Sequence, residues 1–210
     1  MFNLFEMDGP FYRTMAVIAD FMIVNFLFII TALPIFTLGA ALSALYGVLL
    51  NYDVNREENI FVCYTRTFKQ NWKQSTVMNL LILLISSVLI TNIVLYPSYQ
   101  GVFKPMVNSS LIIMSIIIFI FSTLIYPYFA KFHDSIRNAS KNVLKMIADN
   151  IFRTLSIACI SVVPIGIMLL SAELLLLGLY FFLFIGFSLV GYMHSRLLNQ
   201  IFNKYLKHSQ

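Results

Sequence analysis

Apolar runs separated by polar gaps organise this chain. Five runs stand out: Met15–Leu33, Thr76–Leu95, Leu111–Ala130, Thr154–Leu170 and Leu174–Tyr192. Each is close to the ~20 residues with which a helix crosses ~30 Å of hydrocarbon at ~1.5 Å per residue. The stretch Thr37–Asn51 is also apolar but short. Three readings fit it: a sixth span, a re-entrant helix, or a buried continuation after a kink. Within it, Gly39, Ser43 and Gly47 recur every fourth residue, with Ala40 and Ala44 beside them. Small residues at that spacing let helix backbones approach closely in a bilayer, so the pattern favours a packed helix.

The polar gaps differ in character. In 57–74, Ile60, Phe61, Tyr64, Phe68 and Trp72 are read as one helical face, with Glu57, Arg66, Lys69, Gln70 and Lys73 around the rest. In 131–150, Phe132, Ile136, Ala139, Val143 and Ile147 lie opposite Asp134, Arg137, Lys141 and Lys145. Spacings of three and four predict two amphipathic helices. Each serves either as an interfacial helix at the lipid headgroups or as a docking surface for a cytosolic protein. For the second role the candidate anchors are Phe61, Tyr64, Phe68 and Trp72.

Composition agrees with the pattern. The chain is 60% hydrophobic and 11% charged over 210 residues, with mean hydropathy +0.84. Soluble domains carry roughly 25% charged residues. The excess of 14 Lys and Arg over 9 Asp and Glu does not require nucleic acid, and none is expected. The cations fall in alternate gaps: four in 51–75, five in 131–153 and three after Tyr192, against one before Met15 and one in 96–110. Basic gaps are retained in the cytosol. The prediction is therefore a cytosolic 51–75, 131–153 and C-terminus, and an external tip near 96–110. Glu6 and Asp8 precede the first run with Arg13 as the lone cation, so that run reads as a retained span rather than a cleaved signal.

Together these features predict an all-α fold, one integral membrane domain over residues 1–210. It is a polytopic helix bundle of six spans, the second one short, with amphipathic cytosolic helices. Five spans, with 37–50 re-entrant or interfacial, are the alternative. A faint threefold rhythm favours six: Phe11-Tyr12-Arg13-Thr14, Tyr64-Thr65-Arg66-Thr67-Phe68 and Phe152-Arg153-Thr154 each precede an apolar hairpin.

Little in the chain points to catalysis. His133 and Asp134 are adjacent, which turns their side chains apart on a helix, and His194 stands isolated in the sequence. Cys63 and Cys159 have no metal-ligand spacing and read as free thiols. No phosphate-binding glycine loop, zinc motif or paired-carboxylate site is present, so no catalytic, cofactor or metal residue is expected, and the chain is not read as an enzyme. The residues that demand explanation are polar ones inside spans. Asp20 shares a face with Arg13, two turns earlier, and an ionisable group there faces protein or water. It is read as a structural pair or hydrogen bond, or as a partner or substrate contact. Asn25 is expected to bond across helices, as are Asn79 and Asn92. Pro34 is expected at a turn, and Pro127 and Pro164 in packing.

The N-terminal third resembles the YesL-like family of bacterial membrane proteins. The resemblance rests on Asp20-Phe21 followed by Asn25, then on Leu33-Pro34-Ile35-Phe36-Thr37-Leu38-Gly39-Ala40-Ala41, Leu45-Tyr46 and Phe68-Lys69-Gln70-Asn71-Trp72-Lys73-Gln74. The family has no assigned activity. Its members often stand beside carbohydrate ABC importers, which implies a helper or regulator of sugar uptake in the bacterial inner membrane. The implied partners are the lipid bilayer, importer permease or ATPase subunits, and a second copy of the chain. The competing expectation is a small transporter using the broken helix near Pro34 with Asp20 and Asn25.

Overall fold

The computed structural model describes residues 10–54, 59–95 and 104–208. It consists of helices joined by short turns: α1 (Pro10–Ala32), a 3-10 turn (Ile35–Thr37), α2 (Leu38–Leu49), α3 (Ile60–Leu95), α4 (Lys104–Lys131), α5 (Ile136–Asp149), α6 (Ile151–Met168), α7 (Ala172–Phe181), a π-helical turn (Phe182–Gly186) and α8 (Phe187–His208). No strand occurs among the described residues. Five stretches are long and apolar enough to cross a membrane: Phe11–Ala32, Ile60–Leu95, Pro105–Lys131, Ile151–Met168 and Ala172–Leu206, the last running unbroken through α7, the π turn and α8. Their outer faces leave large apolar side chains such as Leu84, Ile90, Ile113 and Leu177 uncovered. A soluble surface rarely tolerates apolar area on that scale, whereas hydrocarbon covers it without cost. The chain is a multi-pass α-helical membrane protein.

The short stretch between the first two spans resolves into α2, which is the centre of the molecule. At 12 residues it is about 18 Å long, well short of the ~30 Å core. From Gly39 to Leu49 every residue except Leu42 is buried. It is the buried continuation after a break, a short apolar helix beside the five that are long enough to cross. The break occurs at Pro34, whose backbone is extended (φ −75°, ψ 114°). Its ring removes the N–H that would continue α1. Thr37 closes the turn, its hydroxyl lying 2.7 Å from Thr31 O and 2.8 Å from Pro34 O.

α2 runs antiparallel to α1 and α3. At one end Thr37 meets Thr31; at the other Tyr52 meets Asp20. Along α3, Thr67 sits against Gly47, Ser75 against Ser43, and Asn79 against Gly39. A Cβ added at Gly39 would collide with the Ser75 carbonyl, Asn79 Cβ and the Tyr126 ring; one at Gly47 would collide with Thr67. The four-residue repeat is thus the contact strip between two backbones.

This contact corrects the expectation for 57–74. Residues from Ile60 onward are not a separate surface helix but the first half of α3, which is 36 residues long. No Gly or Pro interrupts it. Its inner stripe is polar or small, with Thr67, Asn71, Ser75 and Asn79 buried against α2. Residues 55–58 and 96–103, including most of the expected external tip, lie outside the described residues. The second amphipathic segment does form its own helix. α5 buries Ala139, Val143 and Met146 against Leu124, Ile125 and Phe129 of α4 and Leu198, Ile201 and Phe202 of α8.

Gly39→Leu or Ser43→Leu is expected to reduce folded, membrane-inserted protein several-fold, because the added side chain forces α2 from α3. Ile112→Ala, on an exposed face of α4, is expected to leave the yield unchanged. Yields and size-exclusion profiles of the three variants check this; equal profiles would place the Gly39–Gly47 strip away from a contact.

Candidate functional site

Polar side chains inside the bundle fall into three groups. The first is centred on Asn25, which is fully buried. Its Nδ2 donates to Phe182 O at 3.0 Å and to Leu183 O at 2.8 Å, and its Oδ1 accepts from the Ser188 amide at 3.2 Å. Phe182 and Leu183 open the π turn, where the ladder slips from i+4 to i+5 and backbone groups lose their regular partners. In hydrocarbon such groups must find partners within the protein. Asn25 supplies three bonds at once and ties α1 to α8. The cross-helix role expected of it is present. The two prolines expected in packing, Pro127 and Pro164, lie inside α4 and α6 without ending them.

The second group was not visible in the sequence. His194, which looked isolated, is buried, with Nδ1 2.9 Å from Tyr46 Oη and Nε2 3.3 Å from Ser161 Oγ. Ser161 Oγ also lies 3.2 Å from Ile157 O, to which it donates. With its proton used there, Ser161 accepts from His194, so the imidazole carries its proton on Nε2 and takes the Tyr46 hydroxyl at Nδ1. Nearby, Tyr126 donates to Asn79 Oδ1 at 3.0 Å, and Asn79 Nδ2 donates to Ile35 O at 2.9 Å. Asn79 therefore bonds across helices as expected, here to the α1–α2 turn. The sequence offered no signal for His194, which stands two residues beyond the run Leu174–Tyr192, since its partners are 148 and 33 residues away.

The third group gathers at one end of the bundle. Asp20, half-buried, accepts from Tyr52 Oη at 2.8 Å. Of the readings open for Asp20, the hydrogen bond is the one observed, and its partner is Tyr52 of the α2–α3 connection rather than a residue of its own helix. Tyr192 donates to Asp53 at 3.0 Å and accepts from Arg196 Nη2 at 2.7 Å. Phe21, Tyr52 and Tyr192 pack edge-on or tilted around this patch. At the same end Lys131 Nζ bonds Asn199 Oδ1, and Asn199 Nδ2 bonds Leu50 O. Asp134 accepts from Tyr128 and Asn142, while Gln74 donates to its backbone carbonyl. These bonds anchor α3, α4, α5 and α8 to one another.

The four aromatic anchors proposed for docking do not share an exposed face. Tyr64 is buried, its hydroxyl 2.5 Å from Thr31 Oγ1, and Phe68 packs against the α1–α2 core. Phe61 and Trp72 point outward, on an arc with exposed Arg66, Lys69 and Lys73. Thr37, Gly39, Ser43 and Gly47 serve the α1–α2–α3 packing described above. Among the described residues no group of three or more His, Cys, Asp or Glu could hold a metal ion.

Over residues 21–93 the chain is similar to a family described as "Protein of unknown function, DUF624". The match takes in the second half of α1, all of α2 and nearly all of α3, which pack together as one antiparallel unit. It overlaps the stretch on which the YesL-like resemblance rests and brings no activity with it. Neither the curated proteins nor the solved structures contain a match.

Asn25→Leu is expected to strand three backbone groups and to destabilise the protein by about 1–3 kcal/mol. Ser87→Ala removes only a bond within exposed α3 and is expected to change stability by less than about 0.5 kcal/mol. Thermal or denaturant unfolding in detergent micelles distinguishes the two; equal effects would mean that the π turn does not depend on Asn25.

Proposed function

We propose that this chain is a non-enzymatic integral membrane accessory or regulatory protein of the bacterial inner membrane, working beside a carbohydrate ABC importer. The observation that carries the docking role is the outward arc of α3. It sets Phe61 and Trp72 beside Arg66, Lys69 and Lys73, on a helix whose opposite face packs against α1 and α2. Aromatic residues and Arg are favoured interface anchors, and the arc suits an acidic, partly apolar partner surface. The YesL-like resemblance supplies the importer as the class of partner.

Orientation follows from the same end of the molecule. Gln74 bonds to Asp134, Lys131 to Asn199, and Tyr205 to Asp149. The three basic segments therefore converge on one end, and the positive-inside rule puts that end in the cytosol. In a variant lacking native cysteines, Lys141→Cys is expected to react with a membrane-impermeant maleimide from the cytosolic side only. Glu173→Cys, at the start of α7, is expected to react from outside only. The reverse pattern would invert the topology.

The docking role is tested by purification from native membranes. Wild-type protein is expected to bring down permease or ATPase subunits. Phe61→Ala with Trp72→Ala is expected to stay in the membrane and lose at least five-fold of that partner, because insertion depends on the apolar spans. The competing transporter reading makes a different forecast: protein reconstituted alone takes up sugar and loses that uptake in Asp20→Asn. That result would replace the accessory role.

A further inference from the structure

α5 joins two membrane-spanning helices, following α4, which ends at Lys131, and preceding α6, which begins at Ile151. Chain that leaves one span and enters the next has both its ends at the same membrane surface. α5 is therefore held at that surface from both sides. Its faces are graded. Ala139, Val143 and Met146 are buried in the core. At ~100° per residue, Arg137, Lys141 and Lys145 fall one turn apart in a single stripe on the opposite face, and all three are exposed. One flank of the stripe is apolar: Ile136 and Ile147 pack at the edge of the core, and Leu144, 53% exposed, carries the flank outward. The other flank is polar, with Asn138, Asn142 and Asp149 exposed. A helix lying along a bilayer surface is ordered in this way, with its apolar side to the acyl chains and its cations at the headgroups.

The charge of the stripe is not neutralised within the protein. Among the described residues Arg137, Lys141 and Lys145 form no ion pair. The two carboxylates of the same segment are engaged by phenols instead: Asp134 accepts from Tyr128, and Asp149 accepts from Tyr205 at 2.5 Å. Three like charges on successive turns stand ~6 Å apart and repel one another. An occupant must therefore bring negative charge repeated along a surface. It must also suit the apolar side chains beside the stripe, Leu144 and, on the first turn of α6, Phe152, which is 84% exposed. An acidic soluble protein would match the cations, but it would have to cover Leu144 and Phe152 at the edge of a bilayer where lipid already stands. Lys and Arg stems lie along apolar surface while their heads reach out to phosphate, so lipid satisfies both requirements at once.

We infer that the outer stripe of α5 binds the phosphates of anionic phospholipids in the bilayer that the bundle spans, with Leu144 and Phe152 among the acyl chains and Asn138 and Asn142 toward water. This goes beyond the accessory role and is independent of it, because the docking arc lies on α3 and is tested by partner co-purification.

The test uses full-length protein in dodecyl maltoside, titrated with phosphatidylglycerol or with phosphatidylcholine of the same acyl chains. Native mass spectrometry counts the bound lipids. Phosphatidylglycerol is expected to bind about ten-fold more tightly, and the preference is expected to fade as salt rises. Lys141→Gln with Lys145→Gln is expected to remove most of that preference. Arg13→Gln with Lys204→Gln takes the same charge from exposed positions on α1 and α8 and is expected to keep it. An equal loss in the two pairs would show that net charge alone attracts the lipid, and it overturns the stripe as the site, as does a wild-type protein without preference. A second measurement reads depth. In a variant lacking native cysteines, a nitroxide on Leu144→Cys in phosphatidylglycerol vesicles is expected to collide more often with oxygen than with a water-soluble nickel chelate. Preferential collision with nickel would put the stripe in bulk water, open to an acidic protein, and overturns the inference.

Discussion

The close approach of α2 to α3 is the constraint on which the rest of the molecule depends. In a bilayer, lipid tails are as apolar as leucine, so burying leucine between helices yields little. Association must come from packing and from polar bonds. Gly39, Ser43 and Gly47 allow the α2 backbone to press against the Ser75 carbonyl and Thr67, and the Ser43–Ser75 hydroxyl pair at 2.8 Å fixes the register. With α2 seated there, its other faces become the surface on which α1, α4 and α8 assemble. Leu45 and Leu49 receive Gly191 of α8, and Ala41 and Ala44 receive α1.

That central helix explains why buried polar side chains are so numerous in so apolar a chain. Asn25, Asn79, Tyr46, His194, Ser43 and Ser75 all bond across helices: Ser43 and Tyr46 bond from α2 itself, Asn79 bonds the turn that opens it, and Asn25 ties α1 to the π turn and α8. Among the described residues, Thr76 Oγ1 is the buried side-chain polar atom left without a partner. A network satisfied to this degree specifies one arrangement of helices. It also means that Asn25 and Asp20, the residues that invite a transport reading, already have structural partners.

The two ends of the molecule differ in character. One gathers the cations of α3, α5 and α8 with Asp20, Asp53 and Asp134 in a web of tyrosine, asparagine and carboxylate bonds. Toward the other end α3 leaves the bundle. Asn79 sits at the level of Ile35, so the residues that follow rise past the α1–α2 turn with α4 as their main neighbour. The polar end and the apolar flank are thus two distinct kinds of surface, and a cavity beside His194, between α2, α4, α6 and α8, opens on the second.

The sequence by itself determined the solvent. Apolar run lengths and alternate basic gaps depend only on transfer energies and on which loops cross the membrane, so five spans were legible. The Gly39-Ser43-Gly47 strip and the buried face of α5 were legible too, because each is a local periodicity on one helix. Tertiary structure alone decided that α2 is a central helix, that α3 begins at Ile60 and not near Thr76, and that Tyr64 and Phe68 turn inward while Phe61 and Trp72 turn out. The reason is physical. In a membrane the lipid-facing and protein-facing sides of a helix are equally apolar, so periodicity cannot tell them apart. The bonds that break the tie, Asn25 to the π turn and His194 to Tyr46, join residues about 150 apart in the chain.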